Sequence, residues 1–471
     1  MNTATQLQAA LEAWRAGADL RARRRRYKNY TYGRQWLDPV KGADGRVCTE
    51  FEEAHRQGSR PMTNNVIRQL VKCVTGNFRS RLTGDGIATG RSRPELLDGP
   101  TAERNNADEL DCRMLEEFLI SGCAIQRVVS EHRMNGSGIW IDNVSPDRFF
   151  VNRFTDPRGL DIELIGMLHD YSQRETMMRF GHGDEERCRR IAEIYEGAGQ
   201  MGASLSLGDR DSAEFLIAPE SRCRVIEVWS LESRRVVKCH DHLSGKIWLA
   251  PGDEQHGLEL LNGRRQKSGL PPIRLSGRMT ARWHCRMFAP TGEVIDEYDS
   301  PYRHGLHPFA VKFYPLTDGE VHSFVEDIID QQRYVNRLIT LIDHILSTTA
   351  KGVLLFPEES KPDWITWQDV SQSWARTNGV LPLRRGGREP HQIVSANTPT
   401  GAYQLLDMQL QLFQQISGVN SALQGRIDEG GSRNSATLYE AQMRNSAVAI
   451  LDLLESFDSF RRQRNRLVRM S

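Results

Sequence analysis

Between Val325 and Leu346, seven positions recur in alternating steps of three and four: Val325, Ile328, Gln332, Val335, Ile339, Ile342 and Leu346. That period belongs to a helix, and a stripe this narrow is a seam made to lie against a second helix. Asp318 or Ser323 can start the helix, which is expected to run to about Lys351 and to end at Gly352. A seam so apolar is not left in water. Residues 400–417, "TGAYQLLDMQLQLFQQIS", are helical again and stop at Gly418. They lie beside the first helix only if 352–400 is a hairpin-like excursion. The excursion carries Trp364, Trp367 and Trp374 in "DWITWQDVSQSW" and Arg384, Arg385 and Arg388 in the turn "LRRGGREP". The tryptophans are expected to build its small core, because a surface without a partner does not tolerate three of them. The arginines suit acidic groups on a partner.

Upstream, residues 4–38 read as a helix followed by "RARRRRYKNYTYGRQW", with five arginines between Arg21 and Arg26. Two readings stay open there: a solvated helix end, or a contact with an acidic or nucleic-acid partner. Val66, Leu70, Val74 and Phe78 mark an amphipathic helix over 61–82, capped by Asn64 or Thr63. A further helix covers 101–122 and ends at Gly122. From 123 to 153 the pattern is strands, with Asn135-Gly136 as a hairpin turn. Residues 172–198 return to a charged helix, 199–221 read as loop, and 222–314 are β-rich. Inside that section "GDEQHGLELLNGRRQKSGLPP" looks like an exposed insertion.

Past Gly418 comes "QGRIDEGGSRNSATLYEAQ", a polar loop with two adjacent glycines where a helix connection needs only a few residues. A last helix is expected from near Ser435, where Thr437 and Glu440 have capping-box spacing. Its end, "RRQRNRLVRMS", has no Gly or Pro stop, so the helix is expected to continue in a longer product.

Length and composition bound the rest. At 471 residues there is room for about two to four domains. A net charge of +1 disfavours generic coating of nucleic acid, which needs a broad basic face. No stretch approaches a membrane span, and the start lacks a signal peptide's apolar core. Synthesis in the cytoplasm is expected. Eight scattered cysteines (48, 73, 112, 123, 188, 223, 239 and 285) form no C-x-x-C pair and read as free thiols, mostly buried. No phosphate-cradling motif or nucleophile elbow is present. His240 and His242 share a strand face but lack a third ligand group, so no metal and no cofactor is expected. His304 and His307 read as caps of backbone groups rather than catalysts. Glu326 and Asp327 read as a solvated helix face. No catalytic residue is assigned.

The order of elements and several local motifs together resemble the portal proteins of tailed double-stranded DNA bacteriophages, most closely the short-tailed podovirus type. "NNVIRQLVKCVTGNFRSR" is similar to the early portal helix. "NVSPDRFFVNRFTDPRGLDIELIGMLHDYS" is similar to a Pro-Asp-x-Phe turn followed by an aspartate-rich strand and helix. "GEVHSFVEDIIDQQRYVNRLITLIDHIL" matches the helix bearing Asp-x-Gln-x-x-x-Asn, here Asp330, Gln332 and Asn336. "ISGVNSALQGRIDEGGSRNSATLYEAQ" resembles the helix end, loop and helix start that close the channel.

The resemblance implies an α+β portal fold. Residues 1–317 would be a mixed α/β wing, 318–351 and 401–418 paired stem helices, and 352–400 a small α/β clip. Residues 419–434 would be a tunnel loop and 435–471 a long C-terminal wing or crown helix. It further implies a homo-oligomeric ring, of about twelve subunits, at one capsid vertex of the virion, assembled in the host cytoplasm. The ring would be a passive channel for DNA packaging, retention and ejection. Its partners would be double-stranded DNA, the terminase large subunit, a tail adaptor or head completion protein, the major capsid protein and a scaffold. The seven seam residues would pack the stem. The clip arginines and tryptophans would meet partners. Gln424, Arg426, Asp428, Glu429, Gly430, Gly431, Arg433 and Asn434 would face the DNA, where mixed charge and free backbone suit a sliding surface. Two other readings remain: a nucleic-acid-processing enzyme with an unrecognised site, and a structural capsid or scaffold component without a channel.

Overall fold

The stretch "CRVIEVWS" shows how the body is built. It is the first half of the strand Cys223–His240, and all eight of its residues are buried. Successive side chains on a strand point to opposite faces, so both faces need a cover. On one face Val225 and Trp229, with Ile165 and Cys285, meet Cys123, Ile125, Phe309 and Val311 of a second sheet. On the other, Ile226 and Val228, with Leu164, Leu168 and Phe288, meet Ala10, Ala13 and Trp14 of the helix Thr3–Ala16. Two sheets and a helix layer thus make an α+β body.

A computed structural model describes residues 2–42, 44–56, 58–83, 97–133, 136–205, 210–219, 221–349, 353–375, 379–393, 400–419, 448 and 450–471. The chain divides into two units. One comprises Met1–Lys28, Val71–Glu326 and Ala422–Ser471, the other Asn29–Leu70 and Asp327–Ser421.

In the first unit, the larger sheet is antiparallel and orders its strands Val294–Asp299, Arg274–Phe288, Cys223–His240, Leu164–Tyr171 and Phe149–Val151. The short strand Ile247–Pro251 pairs with the far half of Cys223–His240. The smaller sheet places Cys123–Arg133 between Phe309–Phe313 and Gly136–Asn143. The hairpin is present, but Gly136, read as half of its turn, begins the second strand and pairs with Arg133, so the connection is residues 134–135, which lie outside the described residues. The helix Ala107–Ser121 ends as expected at Gly122, whose φ of 72° is left-handed. A Cβ there would lie 2.5 Å from the His322 carbonyl oxygen, so only glycine fits.

The helix Leu451–Met470 packs Phe457 and Phe460 into this unit, with the Phe457 ring tilted against Phe118 at 5.7 Å and edge-on to Phe78 at 5.5 Å. Its buried Arg461 and Arg464 both reach the buried Asp111. All eight cysteines are free, and five are buried.

Several expectations are corrected here. The N-terminal helix is two helices, Thr3–Ala16 and Ala18–Thr31, broken at Gly17. The run Arg21–Arg26 is neither a solvated end nor an open basic patch. Arg21 and Arg24 are each 3% exposed. Arg24 makes a two-pronged pair with Glu117 at 2.7 Å and a further one with Asp147. Arg25 holds Glu214 at 2.8 Å, and Arg23 holds Asp19 at 2.9 Å. Arg21 lies over the Trp14 ring and donates to the Trp14 carbonyl. Arg24 is thus an internal strut between distant segments, Arg25 an exposed one, and Arg23 pairs within its own helix. Residues 199–221 are not all loop either: one helix extends over Glu185–Leu205 and another covers Arg210–Leu216. The insertion after Ile247–Pro251 is the helix Gln255–Lys267, with no buried residue.

In the second unit, the helices Ile329–Thr349 and Thr400–Ser417 pack together, and Gly418 ends the latter with a φ of 66°. The first of them does not begin at Asp318. Asp318 has a φ of 53° in the tight turn joining Pro315–Thr317 to Glu320–Val321. Ser323 and Glu326 instead form a reciprocal capping pair before the 3-10 turn Glu326–Ile328, and the α-helix follows. Glu326 is therefore half-buried and engaged, while Asp327 is exposed as expected. Lys351, Gly352, Ser435, Thr437 and Glu440 lie outside the described residues.

Candidate assembly surfaces

The motif Asp330, Gln332 and Asn336 does local work in the second unit. Gln332 is 0% exposed although its neighbours in the stripe are apolar. Its Oε1 accepts the N–H groups of Val66 and Ile67 at 3.0 and 3.2 Å. Its Nε2 donates to the Asn64 carbonyl and to Asn336 Oδ1. Asn336 in turn accepts from the Asn64 N–H and donates to Gln35. The first turn of the helix Val66–Thr83 is thus satisfied by a side chain from another helix, where a helix normally depends on its own cap. The residue that caps from within is Asn65, not Asn64 or Thr63: its Oδ1 accepts the Arg68 N–H at 3.0 Å. Asp330 is exposed. Further along, Arg333 and Arg337 converge on Glu50, which is buried.

The seven seam residues divide by depth. Val325, Ile328, Gln332, Val335 and Ile342 are buried, Ile339 is half-buried and Leu346 is exposed. Val325 precedes the helix and donates its N–H to the Leu119 carbonyl. Both helices keep apolar side chains exposed along their length. Leu341 and Leu346 are exposed on one, Tyr403, Leu405, Met408 and Ile416 on the other, and the second helix buries only Phe413 and Ser417.

Between them, Val353–Leu355 pairs antiparallel with His391–Ile393, so the intervening segment leaves and returns at one place. Its small core is not the tryptophans. Trp364 is 76% and Trp367 48% exposed, and Trp374 is half-buried. Among its described residues Ser360, Pro362, Ile365 and Val370 are the buried ones instead. Nine residues of helix, Trp367–Ala375, and one short strand pair are too small a scaffold to enclose three indoles.

The basic turn is held by Ser360, which sequence reasoning missed. The Ser360 carbonyl accepts the Arg384 N–H at 3.0 Å, and its hydroxyl donates to the Arg388 carbonyl at 2.7 Å. Arg384, Arg385 and Arg388 are exposed, with Asp363 beside the first and Glu359 beside the last. The expected channel residues Gln424, Arg426, Asp428, Glu429, Gly430, Gly431, Arg433 and Asn434 all lie outside the described residues.

One further constellation bears on chemistry. Glu227, 0% exposed, receives His169 Nε2 at 2.6 Å, Trp229 Nε1 at 2.7 Å and Arg127 at 3.2 Å, and Tyr171 meets His169 Nδ1 at 2.9 Å. Burial pushes the Glu227 carboxyl up, but Arg127 and the His169 and Trp229 hydrogen bonds outweigh it and hold it at about 2. Burial keeps His169 below its usual range. A carboxylate so fully partnered is a core strut, not a base waiting for a substrate. His304 and His307 accept the N–H groups of Leu306 and Phe309, as expected for backbone caps. The His240 and His242 rings lie 4.1 Å apart at a tilt of 49°, while Asp241 between them pairs with Arg265. Among the described residues no group of three metal-ligating side chains gathers. Among them also, no helix is long and apolar enough to cross a membrane.

The sequence matches the family model described as "Phage P22-like portal protein" over residues 7–469. No curated protein matches the chain.

Proposed function

The chain belongs to the P22-like phage portal protein family, whose members are structural components of the virion, and from that premise we propose how it serves as a portal. Copies assemble head to tail into a closed ring of about twelve at one capsid vertex. The helices Ile329–Thr349 and Thr400–Ser417 are the stem, the segment between them is the clip, and residues 424–434 edge the channel. Double-stranded DNA passes through during packaging, is retained, and leaves by the same route at ejection. The clip docks the terminase large subunit and later a tail adaptor, and the sheet body meets the major capsid protein and scaffold.

The observation that carries the ring reading is the apolar surface left exposed on the stem pair. Leu341, Leu346, Leu405, Met408 and Ile416 remain exposed after the two helices have packed on each other. Monomeric proteins rarely concentrate so much exposed apolar surface on one helix pair. A neighbouring stem pair would bury it.

Electron microscopy of the purified protein tests the proposal. Axial rings with a central hole are expected. A monodisperse monomer by light scattering at high concentration would count against it. The protein alone is expected to hydrolyse no ATP and cut no DNA; saturable turnover surviving rigorous purification would favour an enzyme.

A further inference from the structure

The larger sheet carries an extension that the core does not need. Beyond Ser230 and His284 the strands Cys223–His240 and Arg274–Phe288 continue as a pair, with Ile247–Pro251 added at one side and the helix Gln255–Lys267 over one face. Leu258 of that helix covers Val237, Cys239, Ala250 and Ile273. The register puts Lys238, Arg274, Arg278, Ile247 and Leu249 on the opposite, uncovered face.

Three properties of that face converge. The first is charge: residues 231–283 hold ten Lys and Arg against five Asp and Glu, in a chain whose net charge is +1. Among the described residues, no carboxylate pairs with Lys238, Arg274 or Arg278. The second is exposure: Ile247 is 58% and Leu249 59% exposed between those cations. The third is a free edge. Among the described residues Ile247–Pro251 pairs only with Cys223–His240. The Asp241 N–H bonds the Lys246 carbonyl, so hydrogen-bonded pairs fall alternately on 239–248 and 237–250. The backbone groups of Ile247 and Leu249 therefore point outward. Native proteins blunt such edges with inward charges or bulges; this one has neither between Ile247 and Ala250.

We propose that this edge and face are a docking site for an acidic, extended polypeptide segment, added as a further strand beside Ile247–Pro251. Its backbone pairs with Ile247 and Leu249. Its alternate side chains place apolar groups on Ile247 and Leu249 and carboxylates toward Lys238, Arg274 and Arg278. Strand addition supplies affinity through the backbone and specificity through alternate side chains. A protein segment fits better than nucleic acid: the face offers aliphatic side chains between its cations, and the ring it carries, that of His240, already lies against His242. The proposal stands apart from the ring reading and holds for monomer or ring alike.

The test uses the full chain and a fluorescent synthetic peptide that alternates aspartate and valine, read by anisotropy. Saturable binding is expected. The double variant Lys238→Glu with Arg278→Glu, both surface changes that leave the sheet intact, should weaken it about tenfold. The same peptide N-methylated on alternate residues should not bind, because its strand edge is blocked. Equal binding of the N-methylated peptide, or of an all-aspartate peptide of the same length, overturns strand addition. Stronger binding of a short DNA duplex, lost in the same double variant, overturns the choice of partner. No binding of the alternating peptide overturns the site.

Discussion

Arg464 Nη1 lies 3.0 Å from Asp111 Oδ1, with each side chain 1% exposed, across 353 residues of chain. Arg461 reaches the other oxygen of the same carboxylate at 2.8 Å, and Arg464 also meets Gln126. Removing one member of a buried pair strands the other charge. Asp111→Ala should therefore destabilise the protein by about 3–5 kcal/mol. Chemical denaturation followed by tryptophan fluorescence checks this; a loss below about 1 kcal/mol would show the network to be dispensable.

Gln332→Leu keeps the volume of the side chain and deletes its polar atoms. Two N–H groups at the start of Val66–Thr83 and the Asn64 carbonyl then lose their partner. Each orphan costs about 1–3 kcal/mol. Hydrogen exchange should quicken at Val66 and Ile67 first. Unchanged protection there would mean that Asn65 suffices.

The Glu227 carboxyl is held at about 2 against an ordinary 4.5. A depressed folded pKa gives stability that is full above the unfolded value and is lost as pH falls from about 4.5 toward 2. Glu227→Gln should unfold more easily at neutral pH and show a flatter acid limb over that window. Melting temperatures of both proteins from pH 7 to 3 decide it. Parallel curves would assign the acid loss to other groups.

Reversing Arg384, Arg385 and Arg388 to glutamate should leave assembly intact and block DNA packaging, if this turn meets an acidic surface on a packaging partner. Micrographs of the purified variant and a packaging assay separate the two. Loss of assembly would show the turn to be structural, the role that Ser360 already fills beneath it.

Replacing Gly430 and Gly431 with proline fixes φ and removes two backbone donors. Assembly should persist while packaging or retention of DNA fails. Neutralising Arg426 and Arg433 should be milder, since exposed phosphate contacts are screened by salt. Normal packaging by the proline variant would remove the channel assignment from this loop.

The sequence was most legible where signals are local. Gly122 and Gly418 end their helices as read, because a left-handed residue punctuates a chain whatever surrounds it. The helix Thr400–Ser417 was plain from its period. The arginine run was not legible: Glu117, Asp147 and Glu214 lie 93, 123 and 189 residues from their partners. Gln332 misled in the opposite sense, since its place in an apolar stripe hid a polar task set by Asn64 and Val66. The helix through Leu205 was missed because glycines such as Gly197 and Gly199 lower helix propensity by about 1 kcal/mol each without forbidding it. The tryptophans at 364 and 367 obeyed a rule about surfaces that assumes one chain.

The helix Leu451–Met470, which closes the sheet body, is synthesised after every strand of that body. Until residues past 450 emerge, Asp111 waits with no cation and Phe118 lacks its partner Phe457. The helices with open apolar sides, by contrast, are already synthesised at that stage. Completion of the body thereby waits on translation of this helix, and a chain stopped before it offers its neighbours an unfinished fold. Such a chain is more exposed to proteolysis than a whole one. Order of synthesis thus acts as a checkpoint on which copies remain to be used.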